Sequence, residues 1–399
     1  MNLPLLHWLT LAWKDWSFRR QQPGRWKRTK LRNVSVAPIE ELLMRWAGGS
    51  VWRGGPQLPA GSPPCPALLH YRGNTIASDP AQNLKGSAHW PEETGRLFWC
   101  GPIVNHFGHQ LGEFGGRLLM ASLDQRPGTL LFLHPDGDKK IEDLLPWQQQ
   151  WIRYLNPKHK PVLILRGGIR SREMVVLPEH QRLGEAPTPA LLHALTKQTR
   201  HLKLEPQDQI VVLSRASYAK SVDHSSMRGG VAGEAAFDAW MSRQGAQIVY
   251  PETLPLRSQL DLMHSAKNLI IAEGSALHML ELLGRESKKK VMVIARRPLW
   301  TGMDTSLKSR FPKLMWMDAV RELYWHQPSN PRVKGLAKLD WELVLQHIHD
   351  MFGLDIESDI ALSLNNEARH QIRNITKMVN LEKHICTDLD RQVKRAGGW

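Results

Sequence analysis

Two histidines and a glutamate within residues 105–119 have the types and the spacing to do chemistry. His106, His109 and Glu113 stand three and four residues apart, which places their side chains on one face of a helix. Such groups suit proton transfer or metal binding, because imidazole titrates near neutral pH. The H-E-x-x-H order of a zinc helix is absent, so we expect no metal. Two interpretations stay open: a general base, His109 or Glu113, or a core-facing histidine that is hydrogen-bonded to a neighbour.

A later segment places basic residues at the end of an apolar run. In I-V-V-L-S-R-A-S-Y-A-K, Ser214, Arg215 and Lys220 stand at and just beyond the end of a predicted strand. Ligands of open α/β sheets bind at the carboxyl ends of strands, and there an arginine fork and a lysine suit a diphosphate. The alternative is a solvated basic loop.

A second strand end reads N-L-I-I-A-E-G-S-A-L-H. Gly274, Ser275 and Ala276 allow close approach of the backbone as the chain turns into a helix, whose free N–H groups favour a phosphate. The pattern has a single glycine and no lysine, so it is weaker than a P-loop. The alternative is a tight turn between strand and helix.

The elements that must position these residues alternate between short apolar runs and helix-sized segments. The predicted strands are 129–133, 161–165, 173–177, 210–214, 246–250, 268–272 and 290–295, and helices are predicted at 233–244 and 256–265. Near-continuous apolar strands with crossovers of this length indicate parallel sheets covered on both faces. The fold class is therefore α/β.

The two ends of this α/β region differ from it in composition. Residues 54–66 are rich in proline and glycine and predict a loop or linker. The chain from about Trp341 onward predicts helices rather than more sheet. Residues 1–33 combine tryptophans on one helical face with a basic stretch. This arm predicts either an anchor on an anionic membrane surface or a helix docked on its own protein with a solvated linker.

The net charge limits the classes of possible partner, and the cysteine content indicates the cellular compartment. A net charge of +15 implies an anionic partner, whether nucleic acid, lipid, glycan or phosphorylated donor. No recognised nucleic-acid module is present, so a nucleic acid is not expected. The sequence contains no uninterrupted apolar run of about 18 residues, so we predict no membrane-spanning helix. Three scattered cysteines favour a reducing, cytoplasmic location.

The order of these pieces resembles glycosyltransferase family 61, known in bacteria as capsular-polysaccharide-type proteins. N-x-x-x-H-x-x-x-E at Asn105, His109 and Glu113 is similar to the family's N-x-x-H-W-x-x-E helix. The later similarities are L-S-R at 213–215, Glu234 at the opening of a helix, V-Y-P-E-T-L at 249–254 with Gln259, and A-K-N-L-I-I-A-E-G-S-A-L-H at 266–278.

Four features depart from the family pattern, and the first is the gap between Asn105 and His109, which is one residue longer. Gln110 replaces a tryptophan, Gly233 replaces the asparagine before Glu234, and Glu273 replaces the histidine before Gly274. An ionised carboxylate is unfavourable beside a phosphate, so Glu273 is expected to face sugar hydroxyls or another partner.

The resemblance implies a GT-B-like fold, in which two Rossmann-like domains face each other across a cleft. The predicted organisation is an amphipathic and basic N-terminal arm with its linker (1–66), an acceptor domain (67–200), a nucleotide-sugar domain (201–335) and a C-terminal helical tail (336–399). The implied reaction is inverting transfer of a hexosyl, pentosyl or N-acetylhexosaminyl group from a nucleotide-sugar, UDP-linked, to a glycan hydroxyl. The implied setting is capsule or other surface-polysaccharide biosynthesis.

The resemblance also distributes roles among the candidate residues. The base is His109 or Glu113, and the acceptor side includes Asn105 and His106. The donor-binding residues are Ser214, Arg215, Lys220, Glu252, Glu273, Gly274, Ser275 and Ala276. No D-x-D stands between the two halves. We therefore expect neither cofactor nor metal, with the nucleotide-sugar as co-substrate.

The expected partners are the donor, a glycan or lipid-linked glycan acceptor, and an anionic membrane surface that binds residues 1–33. The expected location is the cytoplasm, peripheral to the inner face of the cytoplasmic membrane. The alternative function is a non-catalytic protein on the same fold that binds glycans or a membrane surface.

Overall fold

The structure is a computed structural model, and it divides into two compact units, Met1–Leu195 and Thr196–Trp399. The residues that it describes are 28–44, 49–57, 89–178, 180–181, 185–200, 202, 204–220, 229–297, 303–326 and 334–386. Residues 1–27 of the predicted N-terminal arm lie outside this part.

The first unit is built around a six-stranded mixed sheet of order β2-β1-β6-β3-β4-β5. Its strands are β1 (Thr29–Met44), β2 (Gly49–Gln57), β3 (Glu92–Pro102), β4 (Thr129–Leu133), β5 (Val162–Leu165) and β6 (Ile169–Val176). Strands β6, β3, β4 and β5 run parallel, whereas β1 pairs antiparallel with both β6 and β2. The predicted strands at 129–133, 161–165 and 173–177 are confirmed.

The helices of the first unit follow the strands. They are α1 (Phe107–His109), α2 (Gly116–Leu123), α3 (Pro146–Leu155) and α4 (Pro189–Arg200), and α4 contains the point at which the chain divides. Trp99, Leu131 and Val176 are fully buried and form part of the core of this sheet. Apolar residues on the central strands thus supply the packing that holds the unit together.

The linker prediction is wrong where it falls on described residues. Residues 54–57 lie in β2 and pair with β1, with Gly55 opposite Ala37 and Pro56 opposite Val36. Proline is tolerated there because β2 is the edge strand, so the missing N–H need not serve a neighbour. Residues 58–66 lie outside the described part. Residues 29–33, predicted as basic arm, begin β1 instead.

The second unit contains a five-stranded, wholly parallel sheet of order β12-β11-β10-β7-β9. Its strands are β7 (Gln207–Leu213), β9 (Gln247–Val249), β10 (Ala266–Ala272), β11 (Lys290–Ile294) and β12 (Lys313–Met317). The connecting helices are α5 (Ala216–Lys220), α6 (Glu234–Arg243), α7 (Leu256–Ser265) and α8 (Asp304–Lys308). The strand, helix and parallel-sheet predictions are confirmed for this sheet.

A smaller sheet completes the second unit. Its order is β15-β13-β14-β8, with strands β8 (Gly230–Val231), β13 (Val320–Trp325), β14 (Leu336–Leu339) and β15 (Glu382–Ile385). Helices α9 (Trp341–Phe352) and α10 (Ile360–Met378) precede β15. The prediction of helices alone after Trp341 is therefore wrong at β15. This strand pairs with β13 through backbone hydrogen bonds, and its four residues have no apolar pattern from which a strand could be predicted.

One core joins the two sheets of the second unit. Val212, Ile270 and Met292 from the parallel strands share a buried cluster with Trp240 of α6 and Trp341 of α9. Burying side chains of this size is worth roughly 1.5–3 kcal/mol each, so the carboxyl ends of the strands stand on a rigid base. No helix in the described ranges is both long enough and apolar enough to cross a membrane.

Candidate functional site

Ser214 and Arg215 stand where β7 ends, and two carboxylates of α6 hold them. The Arg215 N–H donates to Glu234 Oε1 at 2.7 Å. The Ser214 hydroxyl donates to Asp238 Oδ2 at 2.6 Å and accepts from the Ala216 N–H at 3.0 Å. Because Glu234 and Asp238 lie one helical turn apart, they clamp consecutive residues of the strand end.

The Arg215 guanidinium lies against the backbone of Gly274, at the end of the neighbouring strand β10. A methyl group built on Gly274 would overlap Nη1 and lie 3.1 Å from both Cδ and Cζ of Arg215. The Gly274 backbone is extended, with φ 176° and ψ −171°, which any residue adopts. A side chain at this position would therefore have to displace the Arg215 guanidinium, which stands at the end of a flexible side chain. The structure brings together the two segments that were predicted to meet a phosphate.

Ser275 and Ala276 open a 3-10 helix, Ser275–Leu282, directly after Gly274. Ser275 is exposed and Ala276 is half-buried. The first N–H groups of such a helix lack partners within the helix, so they are available to an anion next to Arg215.

Glu273 turns into the protein rather than toward the surface. Its side chain is fully buried, and Oε2 accepts from the N–H groups of Arg296 (3.0 Å) and Arg297 (3.1 Å). Oε1 pairs with Arg297 Nε, and Arg296 Nε donates to the Glu273 carbonyl. The partner that was expected for this carboxylate is thus a pair of arginines at the end of β11, in place of sugar hydroxyls.

Arg296 and Arg297 join Arg215 in one cationic cluster, the strand-end arginines. Burial lowers the pKa of Arg296 to about 10, Glu273 opposes this, and the charges of Arg215 and Arg297 lower it further. Arg215 and Arg297 thus both lie within electrostatic reach of Arg296. Because arginine is a cation in proteins, the carboxyl ends of β7, β10 and β11 suit an anion.

Glu234 is a buried carboxyl of this region with a raised pKa. Burial raises its pKa to about 7, the Arg215 N–H bond opposes this, and the nearby Asp238 carboxylate raises it further. Its Oε2 atom has no hydrogen-bond partner among the described residues. Glu234 and Asp238 also line a cavity of about 10 Å³, which is room for a single water molecule.

Gly233 explains one departure from the family pattern. It precedes α6 with φ +84°, in the left-handed region. Asparagine is one of the residues that tolerates this region and glycine adopts it freely, so the replacement keeps the backbone turn that presents Glu234.

Two further residues that were predicted to bind the donor, Glu252 and Lys220, have no described contact with the strand-end arginines. Glu252 is exposed in the 3-10 turn Pro251–Thr253. The turn is held by Gln259, whose amide donates to the carbonyls of Pro251 (2.8 Å) and Leu254 (2.9 Å). Lys220 ends α5, and its side chain lies outside the described part, so its donor role stays a prediction.

In the first unit, the histidine segment follows β3 and is wound differently from the expected single helix. After α1, residues Gln110–Phe114 form a π-helical turn before α2 begins. His106 is exposed and caps α1, accepting the His109 N–H at Nδ1 (3.3 Å). The two imidazole rings lie 4.0 Å apart between centroids, and π-helical turns of this kind are frequent at functional sites.

The neighbours of the histidine pair have structural contacts. Asn105 is exposed, and its Oδ1 accepts from Gln148 Nε2 at 3.3 Å. Gln110, which replaces the family tryptophan, is fully buried and bridges the Val104 N–H (2.6 Å) and the Pro102 carbonyl (3.3 Å). Glu113 lies in the π-helical turn, but its side chain is outside the described part, so its pairing with His109 stays a prediction.

No group of three or more histidine, cysteine, aspartate or glutamate side chains stands in a metal-binding arrangement within the described ranges.

The comparison with known families concerns the region that contains both His109 of the first unit and the strand-end residues Arg215 and Gly274 of the second. Residues 107–288 match the family model described as Glycosyltransferase 61. This region belongs to glycosyltransferase family 61. The family 61 region contains His109, Arg215 and Gly274. The match supports glycosyl transfer as the general class of the predicted activity. No curated protein matches the chain.

Sequence reasoning missed the arginines of β11 and the role of Asp238. Arg296 and Arg297 follow the apolar run 290–295, so the strand-end rule applied to Arg215 would have found them. Asp238 carried no comparable signal, because its contact with Ser214 depends on how α6 packs beside β7.

Proposed function

We propose that the protein is an inverting glycosyltransferase that moves a sugar from a UDP-linked donor to a glycan hydroxyl. The observation that carries this proposal is the contact between Arg215 and the Gly274 backbone at adjacent ends of a parallel sheet. Membership of the region in family 61 supports the reaction class. In such a transfer, the bond between the anomeric carbon and the diphosphate oxygen breaks, and negative charge grows on the diphosphate.

The strand-end arginines supply what the leaving diphosphate needs. Glu234 holds the backbone N–H of Arg215, the Gly229 carbonyl accepts from its guanidinium, and Glu273 holds Arg297 through Nε. Cations fixed before the reaction stabilise developing charge without reorganising during it. Together with the N–H groups after Gly274, they take the role that a metal ion has in other transferases. We therefore expect transfer without a divalent metal, and activity that survives chelation is the check.

The remaining predicted residues take roles consistent with this reaction. Glu273 acts through Arg297 as a positioning residue, and Ser214, Ser275 and Ala276 contribute polar or backbone contacts to the donor. The general base is His109 or Glu113, which removes the acceptor proton as the hydroxyl attacks the anomeric carbon. We propose that the two units form a GT-B arrangement, with Asn105 and His106 on the acceptor side.

The donor site is tested by calorimetric titration with UDP, UDP-sugars and other nucleotides. Arg215→Ala removes the proposed contact, and Arg257→Ala is the matched control, because Arg257 is an exposed arginine of α7 paired with Asp261. We expect micromolar binding of uridine nucleotides that is lost in Arg215→Ala and kept in Arg257→Ala. A folded protein that binds no nucleotide would favour the non-catalytic alternative.

The biological setting is a separate proposal. We propose that the acceptor belongs to surface-polysaccharide biosynthesis and that residues 1–33 bind the anionic inner face of the cytoplasmic membrane. The motivation is the net charge of +15 and the tryptophan-rich, basic composition of that segment. Deleting residues 1–27, which leaves β1 intact, should weaken binding to anionic vesicles and preserve UDP binding. Unchanged vesicle binding would contradict the anchor.

A further inference from the structure

The 3-10 helix after Gly274 carries a polar face that the donor contacts described above do not use. A 3-10 helix has three residues per turn, so Ser275, His278 and Glu281 lie on one face. Ser275 is exposed, the His278 side chain is 12% exposed and the Glu281 side chain is 1% exposed. The face therefore runs from the proposed phosphate turn into the core.

Hydrogen bonds from Ser306 and Arg310 hold Glu281 in place, and its side chain is a carboxylate. Its Oε1 accepts from Ser306 Oγ at 2.7 Å, and its backbone carbonyl accepts from Arg310 Nη2 at 3.1 Å. Burial raises the pKa of Glu281, but the hydrogen bond and charge of His278, with the charge of Arg310, bring it below its ordinary value. Glu281 is thus ionised at neutral pH and can only accept hydrogen bonds.

This fixes the tautomer of His278. Its Nδ1 lies 2.7 Å from Glu281 Oε2, so Nδ1 must carry a hydrogen and donate it. Nε2 is left without a hydrogen-bond partner among the described residues. Helical side chains lean toward the N-terminal end of their helix, which here is the end that begins at Gly274.

The charged side chains of the elements packed against this helix are occupied elsewhere. Helices α7 and α8 pack on it. Their ion pairs are Arg257 with Asp261, His264 with Glu286, and Asp304 with Lys308, while Arg310 is committed to carbonyls and to the hydroxyl of Ser306.

We propose that His278, held by Glu281, is a ligand for an anionic phosphate oxygen of the nucleotide, donating from protonated Nε2. The contact extends the anion site from the strand-end arginines along the 3-10 helix, and it makes nucleotide affinity depend on the protonation of one imidazole. The inference rests on the proposed function, because it requires a nucleoside diphosphate at the Gly274 turn. It forms no covalent bond and needs no co-reactant.

The test is the dissociation constant of UDP between pH 5.5 and 8.5 for wild type and His278→Gln. UDP titrates in this range, but its titration cancels in the ratio of the two dissociation constants. A charge-assisted hydrogen bond is worth roughly tenfold in affinity or more. The dissociation constant of His278→Gln divided by that of wild type should therefore be about 10 or above at pH 5.5. It should approach one at pH 8.5, where neutral Nε2 no longer donates.

His264→Gln is the matched control. His264 makes the same kind of contact, Nδ1 to Glu286 Oε1 at 2.9 Å, but it lies at the opposite end of β10 from Gly274. Its ratio to wild type should stay near one at every pH. Circular dichroism and thermal unfolding confirm that each variant folds, and His278→Asn replaces His278→Gln if the latter does not fold.

Four outcomes would overturn the inference. A ratio for His278→Gln that is constant with pH would mean a purely structural role, and a ratio of one throughout would mean no role. A similar pH-dependent ratio for His264→Gln would assign the effect to histidine loss in general. If folded wild type binds no UDP at any pH, the proposed function fails and the inference fails with it, whereas a wild type that binds with a flat ratio refutes the inference alone.

Discussion

Replacing Gly274 with alanine should weaken nucleotide binding through Arg215 and not through the backbone. The added methyl group would overlap Arg215 Nη1 and crowd Cδ and Cζ at 3.1 Å. The extended backbone at this position suits alanine, so the substitution introduces no strain in φ or ψ. To clear the methyl group, the guanidinium must move by about 1 Å, which takes a hydrogen bond of ordinary length out of range.

The size of the effect follows from the contact that is lost. A hydrogen bond to a charged group contributes roughly 1.5–3 kcal/mol, which corresponds to about 10- to 100-fold in affinity. We therefore expect Gly274→Ala to raise the dissociation constant of UDP by that factor in calorimetric titration. The unfolding temperature should change little, because Arg215 can shift toward solvent.

A double-mutant cycle separates this mechanism from a general disturbance of the turn. If the methyl group acts only by displacing Arg215, then Gly274→Ala combined with Arg215→Ala should bind UDP as weakly as Arg215→Ala alone. Ser275→Ala, which alters the next residue without approaching Arg215, is the control for the turn. Additive losses in the double variant, or wild-type affinity in Gly274→Ala, would refute the reasoning.

Three further predictions concern stability. Glu273→Ala leaves Arg297 and two backbone N–H groups without their acceptor, so it should cost about 3–5 kcal/mol and lower the unfolding temperature markedly; an unchanged temperature would contradict the buried pair. Burial raises the pKa of Glu234 to about 7, so stability should fall as pH rises from about 4.5 to about 7, by about 3 kcal/mol from this group. Glu234→Gln should flatten that part of the profile of unfolding temperature against pH, and an unaltered slope would count against it. Gln110→Leu leaves the Val104 N–H unpaired and should cost about 1–3 kcal/mol, measured by chemical denaturation, with an unchanged midpoint as the opposing result.

The strands of the parallel sheet were predictable because their environment leaves a strong pattern. Strands β7, β10 and β11 are covered on both faces, so they read as short unbroken apolar runs. The edge strand β2 was missed because one row of its hydrogen-bonding groups needs no partner strand, which permits the glycines and proline that predicted a loop. The short β15 has no apolar alternation and is exposed throughout.

The site was predictable only as separate segments. The rule that ligands bind at strand ends selected Arg215 and Gly274 independently, but it did not show that one lies against the other. The structural role of Glu273 could not be read from the sequence at all, since it depends on Arg297 at the end of a different strand. The helical spacing of His106 and His109 was recognised, whereas the π-helical turn that follows them was not, because one extra residue per turn leaves little mark on apolar spacing.

The sequence by itself determined the central strands of the parallel sheet and the residues that stand at their ends, because burial and turn chemistry act locally along the chain. Only the tertiary structure decided which strand ends adjoin. The spatial order β12-β11-β10-β7-β9 differs from the order in the chain, so Arg215, Glu273 and Arg297 meet across gaps of many residues. Their charges are held together by the packing of strands and helices in three dimensions, a property of the whole unit that no local pattern records.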